Sequence, residues 1–176
     1  MASSRLASDF QPSDDSLGFL LWQVTNHWQA AQRAALKPLG LTHVQFVLLA
    51  SLTYLDATSP VTQRDLAAHA ATDPMMTSQV LRTLERRALV LRQSHPRDKR
   101  ARAVTATPTG IELANRALVS VEACDREFFE PVADHGPGFL RLLQTLRDAA
   151  AAPVLASSPG PGDLHGEGGI RTLERG

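Results

Sequence analysis

The sequence predicts a mainly α-helical chain with one small β-hairpin. Three observations carry that expectation. Ala and Leu are abundant while strand formers are few. Apolar residues recur at spacings of three and four from Leu17 to Leu146. The helical period breaks between Leu89 and Thr107, where two short strand-like runs flank a turn.

The first helix is expected from Ser16 to about Leu36. Leu17, Leu20, Leu21, Val24, Trp28, Ala31 and Ala35 fall on one side of it, Ser16 is the N-cap, and Pro38 and Gly40 end it. Thr42 and Gln45 form a capping box for a second helix reaching about Asp56. That helix is apolar on nearly all sides, through Val44, Phe46, Val47, Leu48, Leu49, Leu52 and Leu55, and so belongs in the middle of a core. Thr62 with Asp65 caps a short third helix, to about Ala71. After a tight turn, Asp73 and Pro74 open a fourth, with Val80, Leu81, Leu84 and Ala88 as its inner stripe. "LVLRQSH" and "ARAVTAT", joined by "PRDKR", read as the hairpin. Thr107 and Pro108 open a helix to about Glu130, stopped by Pro131. "GPGFLRLLQTLRDAAAA" makes the last helix, with Phe139, Leu142, Leu143 and Leu146 on one side. Residues 153–176, rich in Pro, Gly and Ser, read as a disordered tail, and residues 1–15 as a flexible start. Codons for Gly169-Ile170-Arg171-Thr172 can be the complement of a tRNA-gene T-arm, so the frame is expected to run into such a gene.

Composition narrows the function classes. Apolar residues are 43% of the 176, enough for a sizeable core. The single cysteine, Cys124, forbids an internal disulfide and suits a reducing compartment. No apolar run has the length of a signal peptide or of a membrane span, so a cytoplasmic protein with no membrane partner is expected. The six histidines are scattered without an i, i+4 pair, so no metal is expected. No phosphate loop, G-x-S-x-G or H-E-x-x-H is present, and neither a catalytic residue nor a cofactor is expected.

Charge distribution says more than net charge, which is zero from 18 basic and 18 acidic residues. Between Arg82 and Arg102, eight basic residues (Arg82, Arg86, Arg87, Arg92, Arg97, Lys99, Arg100, Arg102) meet only Glu85 and Asp98. Residues 103–176 hold ten acids against six arginines. A positive face on an otherwise acidic body points to a polyanion; the plainer reading is a solvated charged face. The order of elements favours the former. Short helix, tight turn, helix and basic hairpin is the winged helix-turn-helix arrangement, in which the second helix enters the DNA major groove and the hairpin lies on backbone or minor groove.

Three stretches resemble the MarR-type (multiple antibiotic resistance regulator) transcription factors. "DKRARAVTATPTG" is similar to that family's wing signature, Asp-x-Arg, a Val, then Leu-Thr-x-x-Gly, through Asp98, Arg100, Val104, Thr107 and Gly110, with Ala106 in place of Leu. "LTHVQFVLLASL" resembles its second helix. "LRTLERRALVLR" resembles the end of its recognition helix and first wing strand, with Ala88 where the family has Gly. The resemblance covers about residues 16–150. It implies a homodimer on an inverted repeat, most commonly a repressor. Residues 16–152 would form the MarR-like domain, with 16–40 and 108–152 as dimerisation helices and 42–107 as the DNA-binding lobe.

On this reading Met75, Met76, Thr77, Ser78, Gln79 and Arg82 are the candidates to face base edges. Gln79 would suit adenine, Arg82 guanine or phosphate, and a Met a thymine methyl; Met75 and Met76 are equally candidates for the core. Arg86 and Arg87 are expected at phosphates or in solvent. The resemblance assigns Arg100 to the minor groove with Asp98 holding it, while Arg97, Lys99 and Arg102 would touch backbone. Members of such a family commonly bind a small aromatic or phenolic effector. Trp22, His27, Trp28, His43, Phe46 and Tyr54 are candidates to line its pocket, or else pack the core and interface. Cys124, flanked by Glu122, Asp125 and Glu127, is expected to keep its proton. The rival reading is a winged helix used as a protein–protein module, without specific DNA binding.

Overall fold

A computed structural model describes residues 16–56, 61–94 and 102–151. It divides into two units, one ending at Pro131 and one beginning at Val132. The expected flexible start and disordered tail lie outside the described residues.

The first unit is mostly helical: α1 (Leu17–Leu36), α2 (His43–Asp56), α3 (Gln63–His69), α4 (Pro74–Arg86) and α5 (Pro108–Phe129). Among the described residues three short strands accompany them, β1 (Val61–Thr62), β2 (Val90–Ser94) and β3 (Arg102–Ala106). The caps read from sequence are formed. Ser16 accepts from the Phe19 amide. Thr42 and Gln45 bond reciprocally, as do Thr62 and Asp65. Each satisfies amides that have no partner within the helix. Gly40 ends the first helical stretch with φ +64°, a left-handed conformation that suits glycine.

Helix α2 is the hub, packing on α1, α3, α4, α5 and strand β3. Its Leu48, Leu49 and Leu52 are fully buried, together with Leu36, Leu66, Leu81, Leu84 and Val90 from surrounding elements. Each such leucine contributes about 1.5–3 kcal/mol relative to exposure. The all-round apolar sequence of α2 follows from this central place.

The sheet is antiparallel in the order β1-β3-β2. The hairpin pairs Val90 with Ala106 through to Ser94 with Arg102. Strand β1 adds Val61 opposite Val104 and Thr62 opposite Ala103, a third strand that the sequence did not reveal. Two residues carry no detectable alternation, and their partners lie far along the chain.

Two short links are left-handed at alanine. After α3, Ala71 has φ +49° and the Thr72 amide reaches back to the Ala67 carbonyl. After α4, Ala88 has φ +56° and the Leu89 amide reaches the Leu84 carbonyl. Both are Schellman-type helix ends. Ala88 is therefore exposed beyond the helix rather than part of its inner stripe, which is Thr77, Leu81 and Leu84, with Val80 half-buried against the core as expected. At Gly110 a Cβ would lie 2.1 Å from the Leu89 carbonyl oxygen, so only glycine lets α5 start so close to the hairpin.

The second unit comprises the end of the 3-10 run Glu130–His135 and α6 (Gly136–Ala151). Leu140, Leu142 and Leu146 of α6 are more than half exposed.

Candidate nucleic-acid interface

The start of α4 is shaped by its cap. Asp73 Oδ1 accepts from the amides of Met75 and Met76, both at 2.9 Å, and Pro74 occupies the first helical position. This geometry fixes which side chains point outward. Met75 is 82% exposed and Met76 39%, so neither is core. Gln79 and Arg82 are exposed and Ser78 half-buried. These five, with Gln63 and Pro74, line one open groove. Gln63 was not anticipated. It enters from the first turn of α3, which packs on α4, and its Nε2 donates to the Pro74 carbonyl at 3.4 Å.

Thr77 departs from expectation. Its side chain is fully buried, its hydroxyl donates to the Asp73 carbonyl at 2.8 Å, and it lies 2.8 Å from the Thr72 hydroxyl. It shares a face with Leu81 and Leu84, four and seven residues on, and so turns inward. Arg87 also differs: its Nη1 donates to the Gly40 carbonyl at 2.9 Å, tying the end of α4 to the α1–α2 turn. Arg86 remains exposed and donates to Thr83 Oγ1 at 3.1 Å.

The hairpin follows α4 directly. Thr107 joins its base to α5: its hydroxyl donates to the Ala88 carbonyl at 2.8 Å and accepts from the Gly110 amide at 3.0 Å. Thr107 and Gly110 thus hold the helix–strand junction. Arg102 opens β3 opposite Ser94. Arg97, Asp98, Lys99 and Arg100 lie outside the described residues.

The six aromatic and histidine candidates do not converge. Trp28 and His43 do meet, edge to face with centroids 5.0 Å apart. Phe46 is in the core. Trp22 is 63% exposed and stacks with Phe19. His27 is exposed. Tyr54 is 74% exposed at the far end of α2 and stacks on His69. Helical periodicity places these residues on different faces, which their presence on two adjacent helices concealed. The partners that do gather at Trp28 are polar. Asp125 Oδ1 accepts from Trp28 Nε1 at 2.8 Å and from Gln32 Nε2 at 2.6 Å, joining α1 to α5. Gln32 is fully buried and its Oε1 has no hydrogen-bond partner among the described residues. Burial holds the His43 pKa below its ordinary value; Asp125 opposes that shift and Arg33 adds to it.

Cys124 faces a groove between α1 and α5 that Ala31, Ala34, Ala35 and Ala123 line together with Ser120, Glu127 and Phe128. Burial, then the Asp125 and Glu127 carboxylates, push its thiol pKa up, so it is a poor thiolate. Among the described residues, no group of three or more His, Cys, Asp or Glu is placed to hold a metal ion. Among them also, no single helix is long and apolar enough to cross a membrane.

Helix α3, its turn, α4 and the β2–β3 hairpin define a winged helix-turn-helix protein. A model of the MarR family matches residues 41–101. The chain is 44% identical over 140 residues to the HTH-type transcriptional regulator YdcH of Bacillus subtilis, covering 79% of this chain and 95% of that protein. It is 36% identical over 134 residues to the HTH-type transcriptional repressor Rv2887 of Mycobacterium tuberculosis, covering 76% and 94%. Among solved structures, CouR from Rhodococcus jostii RHA1 bound to p-coumaroyl-CoA matches with a TM-score of 0.69 at 27% identity, covering 84% of this chain and 99% of that one. Rv2887 in complex with DNA matches at 0.58 and 33% identity, covering 74% and 97%. The chain belongs to the MarR family.

Proposed function

We propose that this chain is a sequence-specific DNA-binding repressor, acting as a homodimer on an inverted repeat and released by a small aromatic or phenolic ligand. The observation that carries the reading is the outward face of α4. Met75, Met76, Ser78, Gln79 and Arg82 stand together beside the hairpin, on a helix whose opposite face is buried. Such a helix is narrow enough for the major groove, and amide and guanidinium groups suit adenine and guanine edges. The solved complex of Rv2887 with DNA supports the same use of this fold. In the wing, Arg100 enters the minor groove with Asp98 holding it, and Arg97, Lys99 and Arg102 neutralise phosphates.

Apolar exposure supports the dimer. Leu17, Leu21 and Trp22 of α1, Val119 of α5, and Leu142 and Leu146 of α6 are each more than half exposed. Residues 16–40 and 108–152 are the proposed dimerisation helices, and 42–107 the DNA-binding lobe. The ligand reading rests on relatives: CouR is solved with p-coumaroyl-CoA, and Rv2887 with p-aminosalicylic acid. Trp28 and His43, in contact between α1 and α2, are the part of the aromatic set retained for that role.

Selection from random duplexes by the full chain tests the reading. The expected product is an inverted repeat with half-sites about one helical turn, roughly 34–36 Å, apart. Recovery of no sequence above background would instead favour a winged helix that docks on protein.

A further inference from the structure

Arg92 belongs to the basic run, yet its charge is already engaged inside the protein. It sits in β2, opposite Val104 of β3. Its side chain is only 14% exposed and crosses to α4, where Nη2 donates to the Ser78 carbonyl at 3.0 Å. Its Nε lies 3.5 Å from Glu85 Oε2, an ion pair without hydrogen-bond geometry, since Nε is buried and has no hydrogen-bond partner among the described residues. Glu85 is the one acid between Arg82 and Arg92. One guanidinium thus meets two points on α4 that lie seven residues apart. The rigid guanidinium plane spans both points, with Nη2 bonded to one and Nε beside the other, whereas a lysine has a single nitrogen to place.

We propose that Arg92 is a positioning residue that clamps the wing strand to the recognition helix, so that the two DNA-contacting elements dock as one body. The carbonyl it holds is that of Ser78, next to Gln79 and one turn before Arg82 in the outward groove. A shift of β2 relative to α4 would therefore move the wing against the side chains proposed to read bases. Glu85 neutralises Arg92, so Arg92 does not contribute a phosphate contact. The proposal rests on the DNA-binding reading for its consequence, and on the Arg92 contacts alone for the clamp.

The test uses Arg92→Leu, Arg92→Lys and Glu85→Gln in the full chain, with two readouts. Without DNA, amide hydrogen exchange is expected to quicken in β2 and around Ser78 in Arg92→Leu and Glu85→Gln, and less in Arg92→Lys. With a selected duplex, Arg92→Leu is expected to lose about tenfold in affinity. The slope of log affinity on log salt should stay as in wild type, because no phosphate contact is lost. Unchanged exchange would overturn the clamp. A slope reduced by about one charge would make Arg92 a phosphate contact instead. If wild type selects no duplex, the DNA-binding reading fails, and the exchange result alone decides the clamp.

Discussion

Thr77 and Gln79 stand two positions apart on α4 and serve opposite faces. Thr77 is buried and bonded to Asp73 and Thr72, whereas Gln79 is exposed in the outward groove. Thr77→Val keeps the shape but leaves the Thr72 hydroxyl without this partner. It is expected to cost about 1–2 kcal/mol in urea unfolding. Gln79→Ala should leave stability within about 0.5 kcal/mol and weaken specific DNA binding by about 1–3 kcal/mol. His43 gives a pH dependence of known sign. Burial lowers its folded pKa, so between the folded and unfolded values the unfolded chain binds more protons. Its contribution is therefore present above the unfolded value of about 6.5 and is lost as pH falls through the folded value. Unfolding of wild type and His43→Gln across pH 5–8 should show a steeper acid-side loss in wild type.

Helix α4 ends at a position that favours glycine. The Schellman-type end places Ala88 at φ +56°, where a Cβ crowds the following carbonyl. Ala88→Gly is expected to raise the urea midpoint, by up to about 1 kcal/mol of stability and without a change in slope. The helices and their caps were legible because capping boxes and N-terminal prolines are local signals: Thr42 with Gln45, Thr62 with Asp65, Asp73 with Pro74. The glycine of the family signature was legible only as a motif; its reason, the close Leu89 carbonyl, is tertiary. Long-range features were hidden. Strand β1 is two residues long, Gln63 comes to the groove through the packing of α3 on α4, and Arg92 reads in sequence as one more wing cation. Asp125 likewise gave no sign that it would tie α1 to α5 through Trp28 and Gln32. The aromatic residues sit on adjacent helices but on different faces, and only Trp28 and His43 of the six meet.

Across the whole chain, zero net charge conceals a basic segment set against an acidic remainder. That separation favours approach of the wing and recognition helix to a polyanion, with other surfaces repelled. Two of these cations are engaged within the protein: Arg92 pairs with Glu85, and Arg87 donates to the Gly40 carbonyl. The proposed homodimer would cover the exposed leucines of α1 and α6, and sedimentation of the full chain should give twice the 19.0 kDa chain mass. In the proposed function, the outward face of α4 and the wing bind DNA as a dimer. Its most direct test is an anisotropy titration of the full chain against the selected duplex over a range of salt, with Arg100→Ala alongside. Log affinity is expected to fall linearly with log salt and the substitution to cost about tenfold. A flat salt response, with Arg100→Ala indistinguishable from wild type, would contradict it.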